Sequence, residues 1–404
     1  MTQTLTSILK RNLCAGCGLC ESLGASEGIR MDYDAKGFLR PQFSGPISKA
    51  LDEQIGRVCP GANLDMQVPA AEQTILWGPI RTAWTGCSTR EDLRHRASSG
   101  GALSGMLMHL LTSGKADCVV QITASTTHPT RNQMVISRNS REVHEAAGSR
   151  YAPSAPLADI VRILEGGERV AFVGKPCDVA GLTNLLRDKP ALARNLVAKI
   201  SFMCGGIPSQ TGTAEILKRL GMADKEIASF RFRGDGWPGG VKAVATTGEV
   251  GTMSYPDSWG GILSGRVQFR CKICPDGTGG FADLVFADAW HGDDRGYPSF
   301  VEADGRSMIL ARTALGEALL ADGIAAGDIV ADPLDPSEIA GMQPSQANRK
   351  RLVTSRLAAM TLFGRARPRY KGLRLGEASS QAPFKLRLHN FLGLVRRLWR
   401  GTEG

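Results

Sequence analysis

From residue 80 onward, apolar and polar positions alternate between two periods. "IRTAWTGC" (80–87), "ADCVVQI" (116–122) and "QMVISR" (133–138) have the short apolar runs of β-strands. "SSGGALSGMLMHLLTSG" (98–114) reads as a helix that opens on small residues. From 156 a regular alternation sets in: helix "PLADIVRILEGG", strand "RVAFVG", helix "CDVAGLTNLLRD", strand "LVAKISFMCG" and helix "SQTGTAEILKRLG". Strands separated by helices of this length predict parallel βαβ packing. Beyond 227 the pattern predicts short strands and glycine turns, then a strand in "ADLVFADAW" and a strand–helix unit in "SMILARTALGEALL".

The first 68 residues differ in being rich in cysteine and glycine, and a linker-like "QVPAAEQTILWGP" follows at 67–79. The predicted class is therefore mixed α/β, with α+β character. Four segments are expected: a cysteine-rich module at 1–68, body segments at 78–155 and 156–335, and a tail at 345–404.

Charge sharpens the last boundary. Residues 345–404 carry 14 Lys/Arg against only Glu377 and Glu403, whereas the whole chain has a formal net charge of +10. The body is thus near neutral, and a nucleic-acid-binding body is disfavoured. In the tail, "FKLRLHNFLGLVRRLWR" (384–400) places Phe384, Leu388, Phe391, Leu392, Val395, Leu398 and Trp399 mostly on one helical face, with Lys385, Arg387, Arg396, Arg397 and Arg400 supplying charge. That pattern suits an anionic membrane surface, an acidic partner protein, or a helix that packs back on the body. The chain shows no signal-peptide pattern and no apolar stretch of spanning length. The expectation is a cytoplasmic protein, with the tail offering peripheral contact to the inner membrane face.

In such a compartment, clustered cysteines point to metal or redox chemistry rather than disulfides. Cys14, Cys17 and Cys20 form C-x2-C-x2-C, and Cys59 precedes Pro60. Successive x2 spacings wrap one face of a cuboidal cluster, with a remote Cys-Pro as fourth ligand, better than they serve two zinc knuckles. Gly16 and Gly18 permit the tight wrap. Cys271 and Cys274 form a second C-x2-C, while Cys177 and Cys204 fall where predicted parallel strands end. By spacing alone this second set is equally a zinc half-site, a redox dithiol, buried filler or a cluster site. Cys87 and Cys118 read as structural.

These motifs, together with "SSGGALSG", "GSRYAPS", "GKPCDVAGL", "FMCGG" and "FRCKICPDGTGGFADLVFADAW" in that order, resemble the coenzyme F-420 hydrogenase/dehydrogenase beta-subunit family. That family includes 7-hydroxymethyl chlorophyll a reductase and ferredoxin-dependent divinyl chlorophyllide reductase. The resemblance covers about residues 10–325. It implies an N-terminal ferredoxin-like iron–sulfur module, a flavin-binding body, FAD and two [4Fe-4S] clusters. One cluster would be held by Cys14, Cys17, Cys20 and Cys59, the other by Cys177, Cys204, Cys271 and Cys274. Lys175 and Asp178 stand where relatives often have Thr and Gln, and Arg150 where lysine is common.

The resemblance also makes Ser98, Ser99, Gly100 and Gly101, which lead into a helix, candidate flavin contacts. Ser149, Arg150 and Tyr151 in "GSRYAPS" and Lys175 in "GKPC" join them; Arg150 by itself reads equally as a surface charge. No G-x-G-x-x-G fingerprint follows a strand, so a Rossmann nicotinamide site is not supported. His291 and Asp288 are the candidate catalytic residues, since a histidine titrates near neutrality; a structural histidine and a turn aspartate are the alternatives.

Clusters carry single electrons, whereas a flavin collects two. The implied function is an oxidoreductase linking ferredoxin, or a similar acidic one-electron carrier, to a CH or CH2 group of a small organic substrate. The alternative is a subunit that only relays electrons to a partner or to coenzyme F-420. A tetrapyrrole, a deazaflavin and a polysaccharide precursor are all open as substrates, and a homo-oligomer is open too.

Overall fold

The computed structural model describes residues 4–292 and 299–401. The N-terminal segment consists of short pieces: α1 (Thr4–Lys10), α2 (Leu19–Gly24), the antiparallel hairpin β1 (Arg30–Tyr33) and β2 (Leu39–Gln42), α3 (Lys49–Val58) and β3 (Asn63–Asp65). Ser48 caps α3 by accepting the Leu51 N–H. Asp52, in the first turn of α3, accepts the backbone N–H groups of Thr4 and Leu5 at 2.7 and 3.0 Å, which ties α1 to α3. Leu5, Ile29, Ile47, Leu51 and Ile55 close a small core against Cys20 and Cys59.

A two-residue hairpin, β4 (Gln73–Thr74) and β5 (Gly78–Pro79), leads into the body. There follow β6 (Thr82–Ser88), α4 (Glu91–Arg96), α5 (Ala102–Thr112), β7 (Cys118–Ala124), β8 (Asn132–Ser137) and α6 (Ser140–Ala146). The predicted alternation appears as α7 (Ile160–Glu165), β9 (Val170–Gly174), α8 (Pro176–Asp188), β10 (Leu196–Phe202) and α9 (Gln210–Arg219). A three-stranded antiparallel sheet of β11 (Ile227–Arg231), β12 (Val241–Ala245) and β13 (Val250–Met253) is inserted before α10 (Phe269–Lys272) and β14 (Leu284–Asp288). Then come β15 (Ser307–Ala311), α11 (Ala314–Ala325) and β16 (Ile329–Pro333).

Eight strands form one sheet in the order β16-β6-β15-β14-β10-β9-β7-β8. The middle four, β14, β10, β9 and β7, run parallel, and their outer neighbours pair antiparallel. Segments 78–155 and 156–335 therefore share a sheet: Cys118, Val119 and Val120 on β7 pair in register with Val170, Ala171 and Phe172 on β9. Both faces are buried, as continuous apolar runs require. Val120, Phe172, Val285 and Leu310 belong to the core on one side. Val119, Ala171, Ile200, Phe286 and Ile309 belong to that on the other. β9, β10 and β14 all end at one edge, shortly before Lys175, Cys204 and His291.

The tail comprises α12 (Ile339–Met342), α13 (Pro344–Leu362), β17 (Arg369–Lys371), α14 (Leu375–Ser380) and α15 (Phe384–Trp399). β17 pairs in parallel with β3, so the tail is stitched to the cysteine-rich segment. Val353, Leu357, Met360, Leu394 and Leu398 share a core with Ile8, Leu13, Phe269 and Ile273.

The single apolar face expected for the last helix is divided. Leu394 and Leu398 are buried with Phe391 and Val395 against them, while Phe384, Leu388, Leu392 and Trp399 remain exposed. Seven apolar residues on one helix subtend a wider arc than a single packed neighbour covers. Among the described residues, no helix is long and apolar enough to cross a membrane.

Candidate functional site

Cys14, Cys17 and Cys20 lie on the loop into α2 and on its first turn, and Cys59 follows the last residue of α3. Gly16 and Gly18 adopt φ of 76° and 88°, the left-handed conformation that lets the backbone curl around the thiols. The Gly16 N–H donates to Cys14 Sγ at 3.3 Å. Gly61 is required by a close approach, since a Cβ there would lie 2.2 Å from Leu13 O. This contact draws the Cys59-Pro60 loop onto the first cysteine.

The four sulfurs line one pocket walled by Leu5, Ile8, Ile55 and Val58. Burial, reinforced by the neighbouring thiols, holds Cys17 and Cys20 well above the ordinary thiol pKa and Cys59 at about 11.

The second cysteine set is drawn together from three stretches of the chain. Cys177 sits in the first turn of α8, Cys204 just beyond β10, and Cys271 and Cys274 in and after α10. Cys204 is pushed up to about 12 by burial and by Cys271 and Cys274, with Arg349 opposing. Burial also raises Cys177 and Cys274, and Cys204 and Cys271 lie within electrostatic reach of Cys177. The Ile207 N–H donates to Cys271 Sγ at 3.4 Å. Arg349 and Gln346, both from α13, donate to Cys204 O at 2.8 and 3.0 Å. The tail thus braces this site.

Among the described residues, no three His, Cys, Asp or Glu side chains converge as one metal ion requires. Four cysteines spread around a shared space suit a polynuclear iron–sulfur group.

The candidate flavin residues are brought together at the strand-end edge. Ser98 Oγ accepts the Ser149 N–H and donates to Arg233 O, linking the "RASSGG" and "GSRY" loops. Ser99 Oγ donates to Arg306 O at 2.9 Å. Gly100 allows a close approach, since a Cβ would lie 2.6 Å from Gly86 O, and Gly101, at φ 71°, caps α5.

Arg150 is no surface charge. Its guanidinium donates to Asn132 Oδ1 and to the carbonyls of Phe230, Pro129 and Arg131, and it stacks on Phe232. Burial and the Arg231 charge lower its pKa to about 10. Lys175 is fully enclosed, with Nζ 2.8 Å from Asp178 Oδ2 and 2.9 Å from Ser154 Oγ. Burial opposes its charge, but Asp178 and the Cys177 thiol hold it protonated.

Asp288 ends β14 in a two-pronged ion pair with Arg233 and also accepts from Trp237 Nε1 at 3.2 Å. His291 lies exposed nearby, its ring edge-on to Trp237 at 6.0 Å. Partial burial and the Arg306 charge lower its pKa. Arg233, Tyr255 and Trp290 went unmarked in the sequence. Arg233 is 1% exposed and lies over both rings, 4.7 and 4.9 Å from their centroids. Tyr151 packs against Phe232, Tyr255 and Trp259. The alternation "FRFR" (230–233) placed Arg233 on a strand-like run, but nothing local marks it as buried.

Residues 83–162 match the model described as the N-terminal part of the coenzyme F420 hydrogenase/dehydrogenase beta subunit, and residues 167–337 match its C-terminal part. The chain belongs to the coenzyme F420 hydrogenase/dehydrogenase beta-subunit family. This member is 22% identical over 325 residues to a component of the F420H2 dehydrogenase of Methanosarcina mazei, covering 78% of this chain and 84% of the relative. It is 22% identical to the beta chain of coenzyme F420 hydrogenase of Methanothermobacter thermautotrophicus, covering 73% of this chain and all of that one. It is 25% identical to coenzyme F420-dependent sulfite reductase of Methanocaldococcus jannaschii, over 78% of this chain but 46% of the larger enzyme.

A chain of the F420-reducing [NiFe] hydrogenase complex from Methanosarcina barkeri shares the fold, with a TM-score of 0.54 at 16% identity, over 72% of this chain and 96% of that one. Its relatives give this family member an oxidoreductase role in electron transfer.

Proposed function

We propose that this chain is an iron–sulfur flavoprotein that links a one-electron carrier to a two-electron organic acceptor. The observation that supports this reading is that eight cysteines, scattered from 14 to 274, lie as two groups of four whose members are within electrostatic reach of one another. Cys14, Cys17, Cys20 and Cys59 would hold one [4Fe-4S] group, and Cys177, Cys204, Cys271 and Cys274 the other. When bound, the clusters supply single-electron steps and FAD supplies storage of two electrons.

The chain's own residues shape where the acceptor meets the flavin. Half-buried Tyr151, Tyr255 and Trp259 offer an aromatic wall suited to a planar ring. Ser98, Ser149 and Lys175 fix the loops around that wall. Asp288 holds Arg233 beneath it, and His291, exposed at the same edge, would exchange a proton with solvent.

Three relatives bear the name of coenzyme F420, which favours a deazaflavin as the two-electron partner over another small organic substrate with a reducible CH or CH2 group. An acidic carrier of the ferredoxin kind suits the one-electron side.

Anaerobic purification followed by iron, sulfide and flavin analysis tests the cofactors. About eight irons and a flavin per chain are expected, and their absence overturns the proposal. F420 reduction by the isolated chain with an artificial donor then separates an enzyme from a relay protein that needs its partner.

A second surface concerns location. Phe384, Leu388, Leu392 and Trp399 are 68, 43, 52 and 79% exposed along α15, flanked by exposed Lys385, Arg396 and Arg400. An apolar stripe between cations is complementary to an anionic lipid surface, and we place the protein peripherally there. Sedimentation with anionic vesicles, but not with neutral ones, is the expected result.

A further inference from the structure

Arg270 immediately precedes Cys271 on α10 and is 2% exposed. Its guanidinium points away from its own motif and into the other one. Nη2 donates to Pro60 O at 2.9 Å and Nε to Gly61 O at 3.3 Å, the two carbonyls that directly follow Cys59. Its Cζ stacks 5.4 Å from the centroid of the Tyr370 ring, and the Tyr370 hydroxyl donates to Ile273 O at 2.9 Å, between Cys271 and Cys274. One side chain thus joins the backbone of both cysteine sites, with an aromatic ring holding it in place.

A cation buried this deeply is strongly unfavourable unless an anion accompanies it. Among the described residues, no carboxylate forms an ion pair with Arg270. Cys271 and the Cys59-Pro60-Gly61 loop flank it instead. On the iron–sulfur reading, the compensating charge comes from the two cysteine sites. Two neutral carbonyls alone do not account for an arginine here, whereas two anionic iron–sulfur sites do.

We propose that Arg270 is an electrostatic bridge between the two cysteine sites, a positioning residue that raises the reduction potential of the groups at both. The inference rests on the iron–sulfur reading of these cysteines. Its physical basis is that reduction adds negative charge, which a fixed neighbouring cation stabilises, so the potential follows local charge and hydrogen bonding. Lying between the sites, the guanidinium acts on both at once and keeps their potentials in step.

The test is potentiometric titration, followed by electron paramagnetic resonance, of the anaerobically purified full chain as wild type, Arg270→Gln and Arg270→Lys. Iron and sulfide are counted first. If the wild type holds no iron, the iron–sulfur reading itself fails, and this is distinct from failure of the bridge. With iron present, Arg270→Gln is expected to move both midpoint potentials to more negative values. Arg270→Lys, which keeps the charge, should produce a smaller shift of both in the same direction.

Iron-replete variants with both potentials unchanged, or with only one moved, overturn the bridge. So does a Lys variant as shifted as the Gln variant, because charge would then not be the cause. Should Arg270→Gln fail to hold iron, Arg270→Lys decides alone: a joint shift supports the bridge, and a lone shift or none refutes it.

Discussion

Arg233 and Asp288 face each other with Nη1–Oδ2 at 2.7 Å and Nη2–Oδ1 at 2.8 Å, joining the stretch after β11 to the end of β14 beneath the aromatic wall. The pair is enclosed, with side-chain exposures of 2% and 18%. Removing either partner strands the other, at an expected cost of about 3–5 kcal/mol. Denaturant unfolding of Asp288→Asn and Arg233→Met should show this loss, and the double variant should recover part of it, as a double-mutant cycle requires for a coupled pair. Additive single effects would show that the two residues act independently.

Each cysteine site should empty by itself. Cys59→Ser and Cys204→Ser are each expected to lower iron content from about eight to about four per chain. Gly61→Ala should mimic Cys59→Ser, because the new Cβ would lie 2.2 Å from Leu13 O and force the Cys59 loop away. Iron and acid-labile sulfide counts check all three. Full occupancy in Gly61→Ala would mean the loop relaxes without disturbing its cysteine.

Lys350 on α13 provides a pH signature. Burial, with help from Arg312 and Arg374, lowers its pKa to about 8 despite nearby Asp276. In the unfolded chain the value is about 10.4. Between these two pH values the unfolded state binds more protons, so stability rises with pH through that window. Below about 8 both states are protonated, and the penalty for burying the charge is constant and fully present. Lys350→Met should therefore exceed wild type in stability by up to about 3 kcal/mol at neutral pH, with the advantage vanishing towards pH 10.4. Unfolding free energies across pH 7–10 check the slope, and parallel curves would refute it.

Leu388→Asp and Leu392→Asp should abolish sedimentation with anionic vesicles while changing stability by no more than about 0.5 kcal/mol, since both side chains are exposed. Leu394→Asp, on the buried face of α15, should destabilise the fold instead. Vesicle binding that survives the two exposed-face changes would remove the lipid surface as partner.

Much of the body was legible because its signals are local. The apolar runs at 118–124, 170–174, 196–202 and 284–288 became strands, and the helical periods between them became α8 and α9. The glycines of "CAGCGLC" adopt the left-handed conformation their spacing implied. The wrap around three sulfurs is a property of a few consecutive residues, and the sequence alone could carry it.

Other features needed the folded chain. Arg150 looks like any exposed arginine until β8, the 129–131 turn and β11 surround it with acceptors. Arg233 is burdened with a buried charge only because β14 brings Asp288 to meet it. The sheet joins 78–155 to 156–335 through the β7–β9 register, a pairing that neither run encodes alone. The tail's role emerges from β17 pairing with β3 and from Arg349 reaching Cys204, contacts separated by more than a hundred residues.

The sequence by itself determined which residue types carry the chemistry and the local elements that bear them, because periodicity and short spacings act over neighbouring residues. Tertiary structure alone decided how distant cysteines are brought near one another, which charges are buried and paired, and which face of α15 stays open. Those outcomes depend on the mutual burial of distant segments, and burial is a property of the whole fold.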